Sequence, residues 1–257
     1  MPMESFMSNK VKINYNGYNP DITSVVEWDG FKYNTDCPSF HYSIHYGSQQ
    51  PYWQGRVPRD SELNIIKSYL EKTKRNSTFL DVGGHIGTMA IPLSKMYNQV
   101  HTFEPNSKNY NFLVGNIESN NIQNIKSYNM AIADCQSKVN SKRHADANSG
   151  CYQIVIDDRG SVKCDTLDSL DFKDVDFIKI DVQGLEIKVL QGAINTIRKY
   201  KPFLMIEAGD EKTDCTQSKK SIIECLNEEK CDYNMYHDNG ADIFLCSESS
   251  TQHGFYR

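Results

Sequence analysis

The chain has 257 residues, with 28 Lys and Arg against 33 Asp and Glu and a formal net charge of −5. That mildly acidic balance gives no footprint for nucleic acid or an anionic membrane surface. No apolar run approaches the roughly 20 residues of a membrane-spanning helix, and Met1 to Lys10 lacks the apolar segment of a signal peptide. Eight cysteines without any Cys-x-x-Cys argue against a zinc site and fit a reducing compartment, so the cytoplasm is the expected location.

Residues 1 to about 57 differ from the rest and are read as an N-terminal extension, with residues 58 to 257 as the main domain. Between Tyr15 and Trp53 ten aromatics are punctuated by glycines and prolines. Alternation in Ser24 to Trp28 and Phe31 to Tyr33, split by Asp29-Gly30, predicts a β-hairpin. The aromatic density suits a small β-containing lobe packed on the main domain, and equally a cap facing the substrate. His41 and His45, four apart among tyrosines, are possible ligands or a catalytic histidine. Asp60 to Glu71 reads as a helix, capped by Asp60 or Ser61, with Leu63, Ile66, Tyr69 and Leu70 as its apolar stripe.

From Thr78 the pattern changes. Thr78-Phe79-Leu80-Asp81-Val82 is an apolar run with a carboxylate near its end, followed by Gly83-Gly84-His85-Ile86-Gly87 and a segment that reads as a helix start. Seventeen residues past Gly87, Glu104 closes a second apolar run. Strand, glycine turn, helix, strand, acid is the order by which a doubly wound α/β domain holds a nucleoside. The glycines let the backbone approach the ligand, the helix N-terminus offers N–H groups, and the second acid accepts hydrogen bonds from the ribose hydroxyls. A dinucleotide fingerprint would place Gly-x-Gly-x-x-Gly before the helix. Here Gly83 and Gly84 are adjacent, and Asp81 lies where it would repel a pyrophosphate. A carboxylate there suits a ligand with an ammonium group and no phosphate. S-adenosylmethionine is therefore the expected cofactor, with a nicotinamide-dependent reductase as a minor alternative. His85, inside the turn, is a candidate contact for cofactor or acceptor.

Asn109 to Ser119 reads as a helix and Ile125 to Met130 as a third strand. Ala131-Ile132-Ala133-Asp134 reads as the turn after it, which in such domains lies beside the adenine ring, so Ile132 is counted with the cofactor residues. Residues 136 to 150 are polar and read as a mobile loop. Gln153 to Ile156 and Ser161 to Lys163 flank Asp157-Asp158-Arg159-Gly160, a second hairpin signal. Asp176 to Asp181 is predicted as a buried strand ending in an acid, and Glu186 to Tyr200 as one helix. Phe203 to Glu207 is another buried strand ending in an acid, Lys219 to Glu229 a helix, and Tyr233 to Tyr236 with Asp242 to Cys246 the closing strands.

Four carboxylates, Asp81, Glu104, Asp181 and Glu207, thus fall at strand ends, where ligands of open α/β sheets lie. They repel one another unless a sulfonium, an ammonium, Lys179 or a metal intervenes. Methyl transfer to a hydroxyl needs the acceptor oxygen in line with the S–CH₃ bond and a base for its proton. Asp181 is the first candidate for base or substrate orienter, and Glu207 for its partner or a metal ligand. Alternatively, Asp181 caps the following helix or touches the cofactor's ammonium, and Glu207 is structural. Lys179 is either a neutralising cation beneath the acids or an edge lysine that snorkels. Activity without added Mg²⁺ is expected.

Taken in order, several segments resemble the FkbM-type methyltransferases over roughly residues 60 to 208. They are Phe79 to Gly87, Phe103-Glu104-Pro105, Asp165-Thr166-Leu167-Asp168-Ser169-Leu170, Phe177 to Glu186, Val189-Leu190-Gln191-Gly192-Ala193 and Pro202 to Glu207. The resemblance implies an α/β, class I methyltransferase (Rossmann-like) fold: seven strands, the last antiparallel, with helices on both faces. It also implies S-adenosylmethionine-dependent O-methylation, often of sugars, glycans or polyketide-type products. Carried over, Asp81, Gly83 and Gly87 hold the methionine end and Glu104 the ribose, while Asn148-Ser149-Gly150 resembles a loop near the acceptor. Two departures stand out. The glycine turn more usually reads Gly-Ala-Asn, so Gly84-His85 reshapes the methionine pocket. Gln183 stands where Glu is common, which weakens any role for that position as a base. The expected activity is O-methylation of a sugar or glycan hydroxyl, the acceptor being chosen by the first 57 residues. Methylation of a nucleic-acid or cap hydroxyl, disfavoured by the acidic balance, and a catalytically silent nucleoside-binding scaffold are the alternatives.

Overall fold

Strands whose apolar residues run almost without interruption must be covered on both faces, and helices on either side do so here. The computed structural model describes residues 12–13, 24–28, 30–35, 60–143, 152–213 and 216–247. The first elements are β1 (Lys12–Ile13), β2 (Ser24–Trp28), β3 (Phe31–Thr35), α1 (Asp60–Thr73), β4 (Thr78–Val82), α2 (Ala90–Leu93), β5 (Gln99–Phe103) and α3 (Ser107–Ser119). Then come β6 (Ile125–Tyr128), β7 (Met130–Ile132), β8 (Ser137–Arg143), β9 (Tyr152–Ile156), β10 (Val162–Asp165) and β11 (Val175–Ile180). The chain continues through α4 (Glu186–Gln191), α5 (Ile194–Tyr200), β12 (Phe203–Glu207), α6 (Lys219–Glu228), β13 (Tyr233–Asp238) and β14 (Asp242–Ser247).

Seven strands form the main sheet in the order β13-β14-β12-β11-β4-β5-β6. Strands β6, β5, β4, β11 and β12 are parallel, and β14 is antiparallel to both its neighbours. Phe79, Phe177 and Phe203 lie side by side in register on one face. With Phe244, and with Tyr69 of α1 stacked on Phe203 at a centroid distance of 4.0 Å, they build an aromatic core. Leu80, Ile178 and Leu204 point to the other face and pack with Val189, Ile197 and Ile222 of α4, α5 and α6. Side chains alternate along a strand with a period of two. Two residues beyond the phenylalanines, Asp81, Lys179 and Met205 therefore fall on the aromatic face, in register across β4, β11 and β12, at the carboxyl edge of the sheet.

The predicted hairpin forms, with Trp28 opposite Phe31. It docks on α3: the Asn34 N–H donates to Asn116 Oδ1 at 2.6 Å, and Asn116 Nδ2 donates to the Asn34 carbonyl at 3.3 Å and to the Ile86 carbonyl at 2.9 Å. Phe31 and Tyr33 are buried against Ile86, Ile91, Leu113 and Ile117.

Five local expectations are corrected. The strand expected over 125 to 130 is split, because the Asn129 amide donates to the carbonyls of Glu104 and Pro105 and ties the chain down there. Met130–Ile132 then pairs in parallel with β10, so Ala131 and Ile132 belong to a strand rather than a turn. In the stretch read as a loop, Ser137–Arg143 is a strand of a second sheet, ordered β7-β10-β8-β9. Strands β9 and β10 flank a turn but do not pair, since β8 lies between them. Gly160 permits that crossing: a Cβ there would sit 2.4 Å from the Val139 carbonyl oxygen of β8. The helix expected over 186 to 200 breaks at Gly192, where a Cβ would lie 1.9 Å from the Ala133 carbonyl oxygen. The Asp168 carboxylate restarts it by accepting from the N–H groups of Asn195 and Thr196. The helix start expected after the glycine turn is present as a single turn, Ala90–Leu93, beyond which the bonds include the tighter i−3 ones of Lys95 to Pro92 and Met96 to Leu93.

His41, His45, Asn148-Ser149-Gly150, most of the N-terminal aromatics and the capping side chains of Asp60 and Ser61 lie outside the described residues. Among the described residues no helix is long and apolar enough to cross a membrane.

Candidate active site

The turn after β4 is built from its backbone outward. Gly83 and Gly87 have φ of +87° and +93°, a region L-residues avoid. A Cβ on Gly83 would lie 1.8 Å from the Asp181 carbonyl oxygen, and one on Gly84 2.0 Å from Thr102 Oγ1. The glycines are thus demanded by contacts with the end of β11 and with β5, independently of any ligand. The N–H groups of Gly83 and Gly84 both donate to the Phe103 carbonyl, at 3.0 and 2.9 Å, and Gly87 donates to Gly84 at 2.8 Å. His85, at φ 49°, donates its N–H to Glu104 Oε2 at 2.8 Å.

Glu104, buried just past β5, is fixed from both sides, since its Oε1 accepts the Asn106 N–H at 2.8 Å. Burial pushes its carboxyl up to about 7, against the lowering effect of those N–H groups and Lys179. Asp81 is fully buried. Its Oδ2 accepts from Thr102 Oγ1 at 3.1 Å, whereas Oδ1 has no hydrogen-bond donor and faces the Lys179 ammonium at 3.5 Å.

Lys179 stands on the central strand β11 between two others, so it is not an edge lysine. Its ammonium donates to the Gly83 carbonyl at 2.8 Å and lies 3.5 Å from both Asp81 and Asp181. Burial draws its pKa down, but the summed attraction of Asp181, Asp81, Glu207 and Asp242 outweighs that and holds it above the ordinary range. For Asp81 the balance is reversed. Desolvation wins over a single cation that Asp181 shares, and the carboxyl is raised.

Asp181 and Glu207, at the ends of adjacent strands, are joined by Gln183. Its Nε2 donates to Asp181 Oδ1 at 3.0 Å and to Glu207 Oε2 at 2.8 Å. Glu186, at the start of α4, accepts from the N–H groups of Val182 and Gly184, and Gln217 Nε2 donates to the Gly184 carbonyl at 2.6 Å. Burial raises the Glu186 carboxyl to about 6.

Of the residues singled out from sequence, Asp81, Gly83, Lys179, Asp181 and Glu207 are linked in one polar network, and Glu104 meets it through the turn at His85. Ile132 lies apart, buried in the apolar cluster of β4 and β11. Sequence reasoning missed Thr102, whose role depends on its pairing with Asp81 across strands. It also read Gln183 only as a lost charge; the adjacent Gly184 was the available signal of a turn that could aim the amide. Among the described residues no group of three or more His, Cys, Asp and Glu side chains could hold a metal ion.

A sheet in this order, with a glycine turn after β4 and an acid after β5, is the class I methyltransferase fold. The chain belongs to the FkbM methyltransferase family, its residues 81–235 matching the methyltransferase FkbM domain. It is similar to the hexuronic acid methyltransferase AglP of Haloferax volcanii, with 25% identity over 176 residues, 66% of this chain and 72% of the relative. Among solved structures, the FkbM methyltransferase from Methylobacillus flagellatus KT superposes with a TM-score of 0.45 at 18% identity over 66% of this chain. The match covers 43% of that protein, less than half its length. M. jannaschii TYW2 in complex with AdoMet superposes with a TM-score of 0.46 at 13% identity, over 92% of this chain and 93% of that one.

Proposed function

We propose that this methyltransferase uses S-adenosylmethionine and methylates a hydroxyl of a sugar or glycan. The state of the glycine turn is the observation that supports the cofactor. The N–H groups of Gly83, Gly84, His85 and Gly87 are all committed to protein acceptors, so the glycines of the turn offer none to a pyrophosphate. Carboxylates line the turn instead: Asp81 Oδ1, which already faces the Lys179 ammonium at 3.5 Å, suits a further ammonium, and the clamped Glu104 carboxylate suits hydroxyls. The residues therefore fit a ligand with an amino-acid tail and a ribose but no phosphate. Asp81 and the turn from Gly83 through Gly84 and His85 to Gly87 would hold the methionine end, Glu104 the ribose, and the segment at Ile132 the adenine side.

Bound S-adenosylmethionine supplies a methyl group on a positively charged sulfur. On the protein's side, Asp181 accepts the proton of the acceptor hydroxyl, a contribution of roughly 10²–10⁴-fold. Lys179, 3.5 Å from that carboxylate, positions it, and Glu207 is joined to it through the Gln183 amide. The similarity to a hexuronic acid methyltransferase supports a saccharide acceptor, and the acidic balance speaks against nucleic acid. Residues 1–57 form an extension that selects the acceptor for the catalytic domain, 58–257, of a cytoplasmic enzyme.

The test is incubation with S-adenosylmethionine and a panel of neutral, amino and uronic saccharides, read by mass for the gain of one methyl. Transfer to a saccharide hydroxyl, insensitive to EDTA and abolished in Asp181→Asn, is expected. Transfer to an amine, a thiol or a nucleic acid alone would contradict it.

A further inference from the structure

Two carboxylates that share one neighbour tend to share one proton as well, since both cannot ionise cheaply at short range. Asp181 and Glu207 meet that condition, and Lys179 lies 3.5 Å from Asp181, yet the group seen to hydrogen-bond both carboxylates is neither an acid nor a cation. It is the amide of Gln183, which offers one N–H to each carboxylate. The backbone is arranged to aim it there. Gln183 has φ +56° and Gly184 φ +103°, a left-handed pair that a glutamine adopts only under constraint. Glu186 grips the N–H groups on both sides of Gln183, and Gln217 grips the Gly184 carbonyl.

We propose that Gln183 is a positioning residue whose amide clasps Asp181 and Glu207 as two separate, ionised carboxylates, so that Asp181 stays free of a shared proton. This rests on the reading of Asp181 as the proton acceptor. An amide does not titrate, so the clasp holds at every pH at which the protein is folded. A glutamate in its place would bridge only while protonated, and then with one donor instead of two. Beside the two clasped carboxylates, Lys179 on β11 is acted on by Asp81 of β4, by Asp181 just past β11 and by Glu207 and Asp242 of β12 and β14, while Asp181 also acts on Glu186 of α4. Carboxylates outnumber the lysine, so an additional carboxyl at 183 takes up a proton on folding.

The experiment compares the full-length chain with Gln183→Glu and Gln183→Leu. Thermal unfolding across pH needs neither cofactor nor acceptor. Gln183→Glu is expected to lie closest to the wild type near pH 5 and to melt roughly 3–8 °C lower near pH 8, because a raised carboxyl stabilises only while protonated. Gln183→Leu is expected to show a deficit of nearly constant size. On the saccharide acceptor, turnover of Gln183→Glu is expected to be about tenfold or more below wild type near pH 6, where its carboxyl shares a proton with Asp181, with the gap narrowing toward pH 8 as that proton leaves, and with S-adenosylhomocysteine affinity within about twofold. A Gln183→Glu protein that keeps the wild-type pH dependence of both stability and rate overturns the clasp. So does one whose stability shifts with pH while its pH–rate profile does not, since Gln183 would then be structural only. Failure of the wild type to bind S-adenosylhomocysteine refutes the cofactor reading instead, and the thermal series still judges the clasp.

Discussion

Lys179 is held by the Gly83 carbonyl, by Asp81 and by Asp181, and it is the cation through which the turn, β4 and β11 meet. Removing one partner of a buried ion pair leaves an uncompensated charge and costs about 3–5 kcal/mol. Lys179→Met should therefore lower Tm by roughly 6–20 °C. The double change Lys179→Met with Asp81→Asn should recover part of that loss in differential scanning calorimetry; additive losses would show the two residues to be uncoupled. Glu104 makes a second prediction at this scale. Its pKa is raised from 4.5 to about 7, so the folded protein binds that proton more tightly than the unfolded chain. The stability this contributes is complete below about pH 4.5 and is lost as the pH rises through about 7. With Glu104 holding the ribose as proposed, ligand binding would run the opposite way, since an ionised carboxylate accepts from hydroxyls more strongly than a protonated one. S-adenosylhomocysteine affinity should rise with pH up to about 7, by at most about tenfold per unit. In Glu104→Gln it should be weaker and flat with pH, as titration calorimetry would show. These individual acids were legible because each closes an apolar run. Their partners were not, because Thr102 and Gln183 acquire their roles through cross-strand register and a left-handed turn that no local pattern encodes.

Among the elements, the long buried strands and amphipathic helices were readable because their periodicity is dictated by one packed face. The second sheet was not, and the reason is specific. Its strand Ser137–Arg143 is polar and short of apolar alternation, while the apolar pair β9 and β10 looks like a hairpin in sequence although β8 separates the two. Gly160, at the crossing, carries the information. Gly160→Ala would place its Cβ 2.4 Å from the Val139 carbonyl oxygen, and overpacking of this kind costs about 1–3 kcal/mol. Hydrogen exchange of the β8 and β9 amides should accelerate by roughly ten- to hundredfold, with the amides of β4 and β11 unaffected. Uniform acceleration across both sheets would mean that the second sheet does not open as a unit.

At the scale of the whole molecule, the β2–β3 hairpin is tied to the α/β unit through Asn116, which contacts Asn34 twice on the backbone and also holds the Ile86 carbonyl behind the glycine turn. Asn116→Ala leaves buried partners unpaired at about 1–3 kcal/mol. Limited proteolysis should then cleave within residues 1–57 well before the rest of the chain; an unchanged cleavage order would show that Phe31 and Tyr33 suffice to hold the hairpin. The class of fold follows from strands, glycines and acids in sequence order, whereas the acceptor depends on surfaces that lie outside such patterns. The central claim is the proposal that the turn after β4 and Glu104 hold an adenosyl ligand without phosphate. Thermal shifts with S-adenosylhomocysteine, S-adenosylmethionine, NADH and NADPH, measured side by side, test it most directly. A ligand at 100 times its Kd stabilises a fold by about 2.7 kcal/mol, roughly 5–10 °C for a chain of this size. A shift with the two adenosyl compounds and none with the nicotinamides is the predicted result; a shift with the nicotinamides alone, or with none of the four, would contradict it.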